Sequence, residues 1–161
     1  MRKNLSWLLV AVLVLALDLI TKYFAYTQLI PYQANKVLSF FNLTLAFNKG
    51  AAFSFLNSAS GWQNGFFIIL AILISIILII WLYRLEKNEK WQGLSIALIL
   101  GGAWGNLYDR IHLGYVIDFL DFHIGNHHWP IFNIADSAIS IGAVLMMLLT
   151  LRPHGKLEKT K

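Results

Sequence analysis

Apolar residues fall along the chain in four long runs, separated by segments that alternate or turn polar. A helix needs about 20 apolar residues to cross a bilayer, or a few fewer where polar side chains finish the span. The first run, Leu5 to Phe24, carries Asp18 and Lys22 near its far end. The second, Phe66 to Tyr83, has Ser75 as its polar exception. The third, Leu94 to Leu107, is short and contains Gly101, Gly102, Gly105 and Asn106. The fourth, Ile134 to Leu151, has Asp136 in its first turn. Four transmembrane helices in a single domain over residues 1–161 are predicted. Arg2-Lys3 followed by an apolar run also has the form of a signal peptide. No small-x-small cleavage site follows, and the run continues through Asp18-Leu-Ile-Thr-Lys22, so a retained span is expected.

Two connecting segments stand out. Residues 25–61 are too long for a structureless link in a compact protein. Leu38 to Asn48 has the alternation and aromatic content of strands, and Gly50 allows a turn. Ala51 to Leu56, with Trp62, Phe66 and Phe67, reads as an element at the membrane interface, where aromatic side chains concentrate. The prediction is an all-α polytopic membrane protein with a small β-sheet on the outer membrane face. Residues 109–133 form the second segment, holding Asp109, Asp118, Asp121 and four histidines.

Composition agrees with this pattern. The 161 residues are 58% hydrophobic and only 13% charged, whereas soluble domains average nearer 45–50% and about 25%. Disorder and an ordinary soluble enzyme are both excluded. The chain has no cysteine, which removes disulfides, thiolate chemistry, Cys-based zinc sites and lipidation of the chain itself.

The net charge of +5 is a matter of topology, not of nucleic acid. Arg2, Lys3, Arg84, Lys87, Lys90, Arg152, Lys156, Lys159 and Lys161 all fall on one side of the predicted spans. Lys22, Lys36, Lys49 and Arg110 fall toward the other. Cytoplasmic loops carry the excess of Lys and Arg, so both termini are expected in the cytoplasm.

The acids are distributed the opposite way. Glu86, Glu89 and Glu158 lie on the cytoplasmic side, while Asp18, Asp109, Asp118, Asp121 and Asp136 sit at or near the outer face. Charges within a membrane cost energy and by default mark function. Asp136 opens the fourth span, and Asp118 or Asp121 follows the third; antiparallel neighbouring spans would bring such a pair to one depth. Two close carboxylates share a proton, so one can act as base toward water while the other donates to a carbonyl oxygen. That is peptide hydrolysis without metal or covalent nucleophile. At this level Asp118 and Asp121 remain alternatives, and either could merely cap a helix or face water.

Polar companions lie at helical spacing. Asn133 and Asp136 are three apart, and Asn106, Asp109 and Arg110 share a face. Arg110 suits a carboxylate or a substrate carbonyl, and a mere Asp109–Arg110 interfacial charge pair is the less favoured alternative. Gly101 and Gly105 permit close helix approach, and Asp18 and Lys22 are spaced to pair. His123, His127 and His128 invite a metal reading, but no HExxH arrangement accompanies them, so solvated loop histidines are expected.

Five blocks together are more specific than any one. Asp18-Leu-Ile-Thr-Lys22, Asn48-Lys-Gly-Ala-Ala-Phe53, Gly101-Gly-Ala-Trp-Gly-Asn-Leu-Tyr-Asp-Arg110, Val116-Ile-Asp-Phe119 and Phe132-Asn-Ile-Ala-Asp136 resemble, in order, the signature blocks of lipoprotein signal peptidase, or signal peptidase II. The histidine-rich stretch before Trp129 is the least family-like. The resemblance implies an aspartic endopeptidase of the bacterial inner membrane, without a cofactor or metal. It would remove the signal peptide from diacylglyceryl-modified prolipoproteins, cutting just before the lipid-bearing cysteine. By resemblance Asp118 and Asp136 are the catalytic pair, which decides against Asp121. Asn48, Asn106, Arg110 and Asn133 would line the substrate site, and Asp18, Lys22 and Asp109 would support it. Membrane lipids and globomycin-type cyclic peptide inhibitors are the other expected partners, nucleic acid is not, and a monomer is expected. A proton-coupled transporter or channel is the competing class, since intramembrane Asp also marks ion paths. The repeats with broken helices that such folds use are missing from the sequence. A structural adaptor would not need five outer-face aspartates.

Overall fold

The computed structural model describes residues 6–50 and 62–151. Four helices run over Trp7–Gln28 (α1), Trp62–Arg84 (α2), Lys90–His112 (α3) and Ile134–Leu151 (α4). Among the described residues, α1, α2 and α4 are long and apolar enough to cross a membrane. Although α3 matches α2 in length at 23 residues, its glycines, Ser95, Asn106 and Asp109 dilute its apolar character. Four spans were expected; length and composition support three. Asp109 and Arg110, expected to open the second connecting segment, are helical residues of α3.

Its small residues place α3 at the centre, against α1, α2 and α4. A side chain at Gly101 would strike the Ala11 carbonyl of α1, so only glycine allows that approach. Toward α4, the Ser95 hydroxyl donates to the Gly142 carbonyl at 2.6 Å. Ala11, Leu78, Leu82, Ile96, Ala97 and Leu100 form the buried apolar core. Leu9, Leu13, Ile69, Ile77, Met147 and Leu148 instead face outward. A surface this apolar would be unfavourable in water and suits lipid.

Strands Asn35–Leu38 (β1), Phe41–Asn48 (β2), Val116–Ile124 (β3) and His127–His128 (β4) form an antiparallel sheet in the order β1-β2-β3-β4. The strand expectation over Leu38 to Asn48 corresponds mainly to β2. The sequence reading did not anticipate β3, since aspartates three apart, Asp118 and Asp121, break a two-residue alternation. Between the pairs Leu43↔Leu120 and Ala46↔Asp118, β2 carries one more residue than β3. This bulge exchanges the faces of β2, so side chains before and after it address opposite sides of β3.

The chain then returns beside β3 through the Leu120↔Phe132 bridge, which delivers Asn133 and the start of α4 to the sheet. Ala51 to Leu56, the expected interfacial element, lies outside the described residues. Trp62, Phe66 and Phe67 belong to the opening turns of α2.

Candidate active site

A helix that starts inside protein needs partners for its first backbone N–H groups. Two side chains supply them for α4. Asn133, fully buried, accepts the Asp136 N–H through Oδ1 at 2.8 Å. Asp18 of α1 reaches across to accept the Ala135 N–H at 2.8 Å. The first of these bonds orients the Asn133 amide, because a backbone N–H can only donate.

The Asn133 amide nitrogen therefore faces the sheet. It donates to Asp118 Oδ1 at 2.7 Å and also meets the Ile117 carbonyl at 3.2 Å and Asn106 Oδ1 at 3.1 Å. Asn106 in turn donates to Asp136 Oδ1 at 2.7 Å. From β2, Asn48 donates to Asp118 Oδ2 at 3.0 Å, while its own Oδ1 accepts the Gly50 N–H at 2.9 Å. Asp118 and Asp136, from a strand and a helix, are thus joined through two amides. Asp118 is 2% exposed, and Asp136 is more open. Burial, and then the neighbouring charge of Asp136, push the Asp118 carboxyl from 3.8 up to about 7. A carboxyl group with this value holds or yields a proton near neutral pH.

Strand geometry separates Asp121 from this pair. Residues three apart on a strand face opposite ways, and the β2 bulge matches that division. Asp121 accepts from Thr44 at 2.8 Å and Asn42 at 3.3 Å, and pairs with His128 at 2.6 Å. Burial alone would raise Asp121, but these hydrogen bonds together hold it below the usual carboxylate value. His127 and His128 are exposed, in keeping with the expected solvated histidines, but they lie on a strand and not in a loop. His123 and His128 sit opposite each other on β3 and β4, their rings stacked 4.8 Å apart, and His128 engages a buried carboxylate. No group of three or more potential metal-ligating side chains occurs among the described residues. Asn42 and Thr44 were missed as partners because only the bulge assigns them to that face.

Behind the amides lies an ion cluster. Lys22 is 2% exposed and places its ammonium 2.7 Å from Asp18, 2.9 Å from Asp109 and 3.0 Å from Asn106 Oδ1. The expected Asp18–Lys22 pair is present; the alternative Asp109–Arg110 pair is not. Asp109 instead binds Lys22 and accepts the Ile117 N–H at 3.0 Å. Arg110 donates to the Gly50 carbonyl at 3.0 Å and more weakly to the Asn106 carbonyl at 3.4 Å, with its guanidinium over the Phe67 ring at 5.1 Å. That arrangement holds a planar cation beside both aspartates.

An apolar cavity of about 400 Å³ opens at Asp136, walled by Trp129, Phe132, Ser137, Ile139 and Ile141. Through Ser140 and Ile141 it meets a second groove between α3 and α4 that runs to Leu148 and Trp91. Asp136 therefore stands at one end of a pair of adjoining apolar grooves.

Residues 10–152 match the family described as Signal peptidase (SPase) II. The chain belongs to the signal peptidase II family. Lipoprotein signal peptidase of Francisella tularensis subsp. novicida is 51% identical over 152 residues, 94% of each chain. The lipoprotein signal peptidase of Teredinibacter turnerae is 52% identical over 89% of this chain and 85% of its own, and that of Pseudomonas putida 49% over 90% and 86%. A solved structure described as a bacterial membrane enzyme superposes with a TM-score of 0.85 at 34% identity, over 97% of this chain and 93% of that one. As a signal peptidase II family member, the chain is a membrane-embedded peptidase.

Proposed function

We propose that this chain is an aspartic endopeptidase that removes the signal peptide from diacylglyceryl-modified prolipoproteins, cutting just before the lipid-bearing cysteine. The observation that carries the reading is the Asn106–Asn133 link between Asp118 and Asp136. The names of the relatives support the substrate class.

The mechanism follows from the shared proton. One ionised carboxylate takes a proton from water as the water oxygen bonds to the scissile carbonyl carbon. The other carboxyl group, protonated, donates to the carbonyl oxygen. When the gem-diol intermediate collapses, the C–N bond breaks and the departing amine takes the proton first removed from water. One hydroxyl returns its proton to the second carboxylate, which restores the dyad. Asn133 and Asn48 hold Asp118, and Asn106 holds Asp136, each with an amide that donates. Arg110 and the same asparagines position the substrate backbone, and Asp18, Lys22 and Asp109 support them from behind. The apolar cavity at Asp136 suits an apolar peptide and acyl chains, and globomycin-type cyclic peptides would compete for it.

In this reading α3 is the fourth span, carried across the bilayer inside the bundle by its contacts with three helices. Both termini lie in the cytoplasm of a bacterial cell, and the carboxylates lie at the outer face of the inner membrane, where water can reach them. Purified protein incubated with a diacylglyceryl-modified prolipoprotein, with and without EDTA, tests the proposal. Release of the signal peptide in both arms is expected. No release, or release abolished by EDTA, would defeat it.

A further inference from the structure

An asparagine amide can present either its oxygen or its NH2 to a neighbour, and the two choices have opposite effects on a carboxylate. An NH2 stabilises the ionised form; an oxygen stabilises only the protonated one. Asn106 faces Asp136 with its NH2, so its Oδ1 must be turned away and held.

Two donors hold it, and they are not equivalent. Asn133 has two amide hydrogens and three acceptors: Asn106 Oδ1, the Ile117 carbonyl and Asp118 Oδ1. It can release Asn106 and still satisfy both hydrogens. Lys22 has three hydrogens and three oxygens within 3.0 Å, those of Asp18, Asp109 and Asn106, and no lone pair to offer. If Asn106 turned over, its NH2 would face the buried ammonium. That repulsion cannot be relieved by rotating either group.

We propose that Lys22 is a positioning residue that acts through Asn106: donor-only contact at Oδ1 keeps the NH2 of Asn106 on Asp136 and so sets the proton balance of the dyad. This inference rests on the dyad reading and adds to it a role for a side chain that touches neither carboxylate of the dyad. The charged groups around Asn106 are Lys22 and Asp18 from α1, Asp109 and Arg110 from α3, Asp118 from β3 and Asp136 from α4.

A coupling cycle separates this role from a structural one. Asp109→Asn alone is the baseline and Lys22→Met is added to it; the step removes one positive charge in either background, so the direct effect of that charge cancels between the two arms of the cycle. Relative to that baseline, loss of Lys22 should lower kcat roughly tenfold or more with little change in KM. In an Asn106→Ala background the same step should cost less than about threefold, because the two residues act as a unit. An equal loss with and without Asn106 would overturn the proposal. If the methionine variant does not fold in detergent, Lys22→Gln serves instead, since its amide offers an acceptor as readily as donors. Because loss of the Lys22 charge by itself also acts on the dyad, the two backgrounds are compared: the acid limb of the rate–pH profile should move to higher pH further with Asn106 present than in Asn106→Ala, and an equal shift in both would overturn the proposal. Normal turnover by Asp118→Asn or Asp136→Asn would signal a different failure, that of the dyad itself.

Discussion

Asn106 and Asn133 are hydrogen-bonded to each other at 3.1 Å, and each donates to a different one of two carboxylates, Asp136 and Asp118. The pair comes from α3 and from the residue preceding α4. Movement of one helix past the other would therefore break the link between the aspartates before it disturbed either one alone.

In the proposed dyad the two carboxylates act on one proton, so their losses should not add. Asp118→Asn and Asp136→Asn should each abolish cleavage, with the double variant scarcely worse. Asp121→Asn is the control: it weakens the buried hydrogen bonds that Asp121 makes with Thr44, Asn42 and His128, costing roughly 1–3 kcal/mol of stability, yet keeps substantial activity where the protein stays folded. Cleavage assays on the four proteins check this, and equal loss in Asp121→Asn would shift the assignment.

The raised Asp118 value makes a stability prediction with a definite sign. The folded state holds a proton that the unfolded state releases, so this group's contribution falls as pH rises from about 4 to about 7. Asp118→Asn should therefore unfold at higher temperature than the wild type at pH 8, with the gain shrinking toward pH 4. Thermal unfolding in detergent across this range measures it. A gain independent of pH would contradict burial of a titrating carboxylate as its cause.

Arg110 spans two backbone carbonyls with a planar fork that an ammonium cannot reproduce. Arg110→Lys should lose most activity while remaining folded and membrane-inserted, as judged by cleavage rate and by an unchanged melting profile.

A side chain at Gly105 would collide with the Asp18 carboxylate, which both pairs with Lys22 and caps α4. Gly105→Ala should destabilise the protein by about 1–3 kcal/mol and reduce activity. The milder Gly65→Ala, where nothing lies within 4 Å of the added methyl group, should do neither.

Lys36 lies on exposed β1. In a chain without native thiols, Lys36→Cys should react with a membrane-impermeant reagent only from outside the cell. Labelling from the cytoplasmic side alone would reverse the orientation.

Much of this was legible in the residues themselves. Apolar runs demand burial in lipid or core whatever the fold, so the helices declared themselves through length and composition. The skewed aspartates were legible because a charge near a membrane is too costly to be incidental. Helical spacing likewise paired Asp18 with Lys22 and set Asn106 on the face of Asp109 and Arg110. Tertiary structure decided what sequence spacing cannot encode. The choice of Lys22 over Arg110 as the partner of Asp109 depends on α1 packing against α3. The division of labour between Asp118 and Asp121 depends on one extra residue in β2, which exchanges strand faces and is invisible without the partner strand. The orientation of Asn106 depends on donors 84 and 27 positions away. Hydrogen bonds act over about 3 Å, so only the folded chain brings these groups within range.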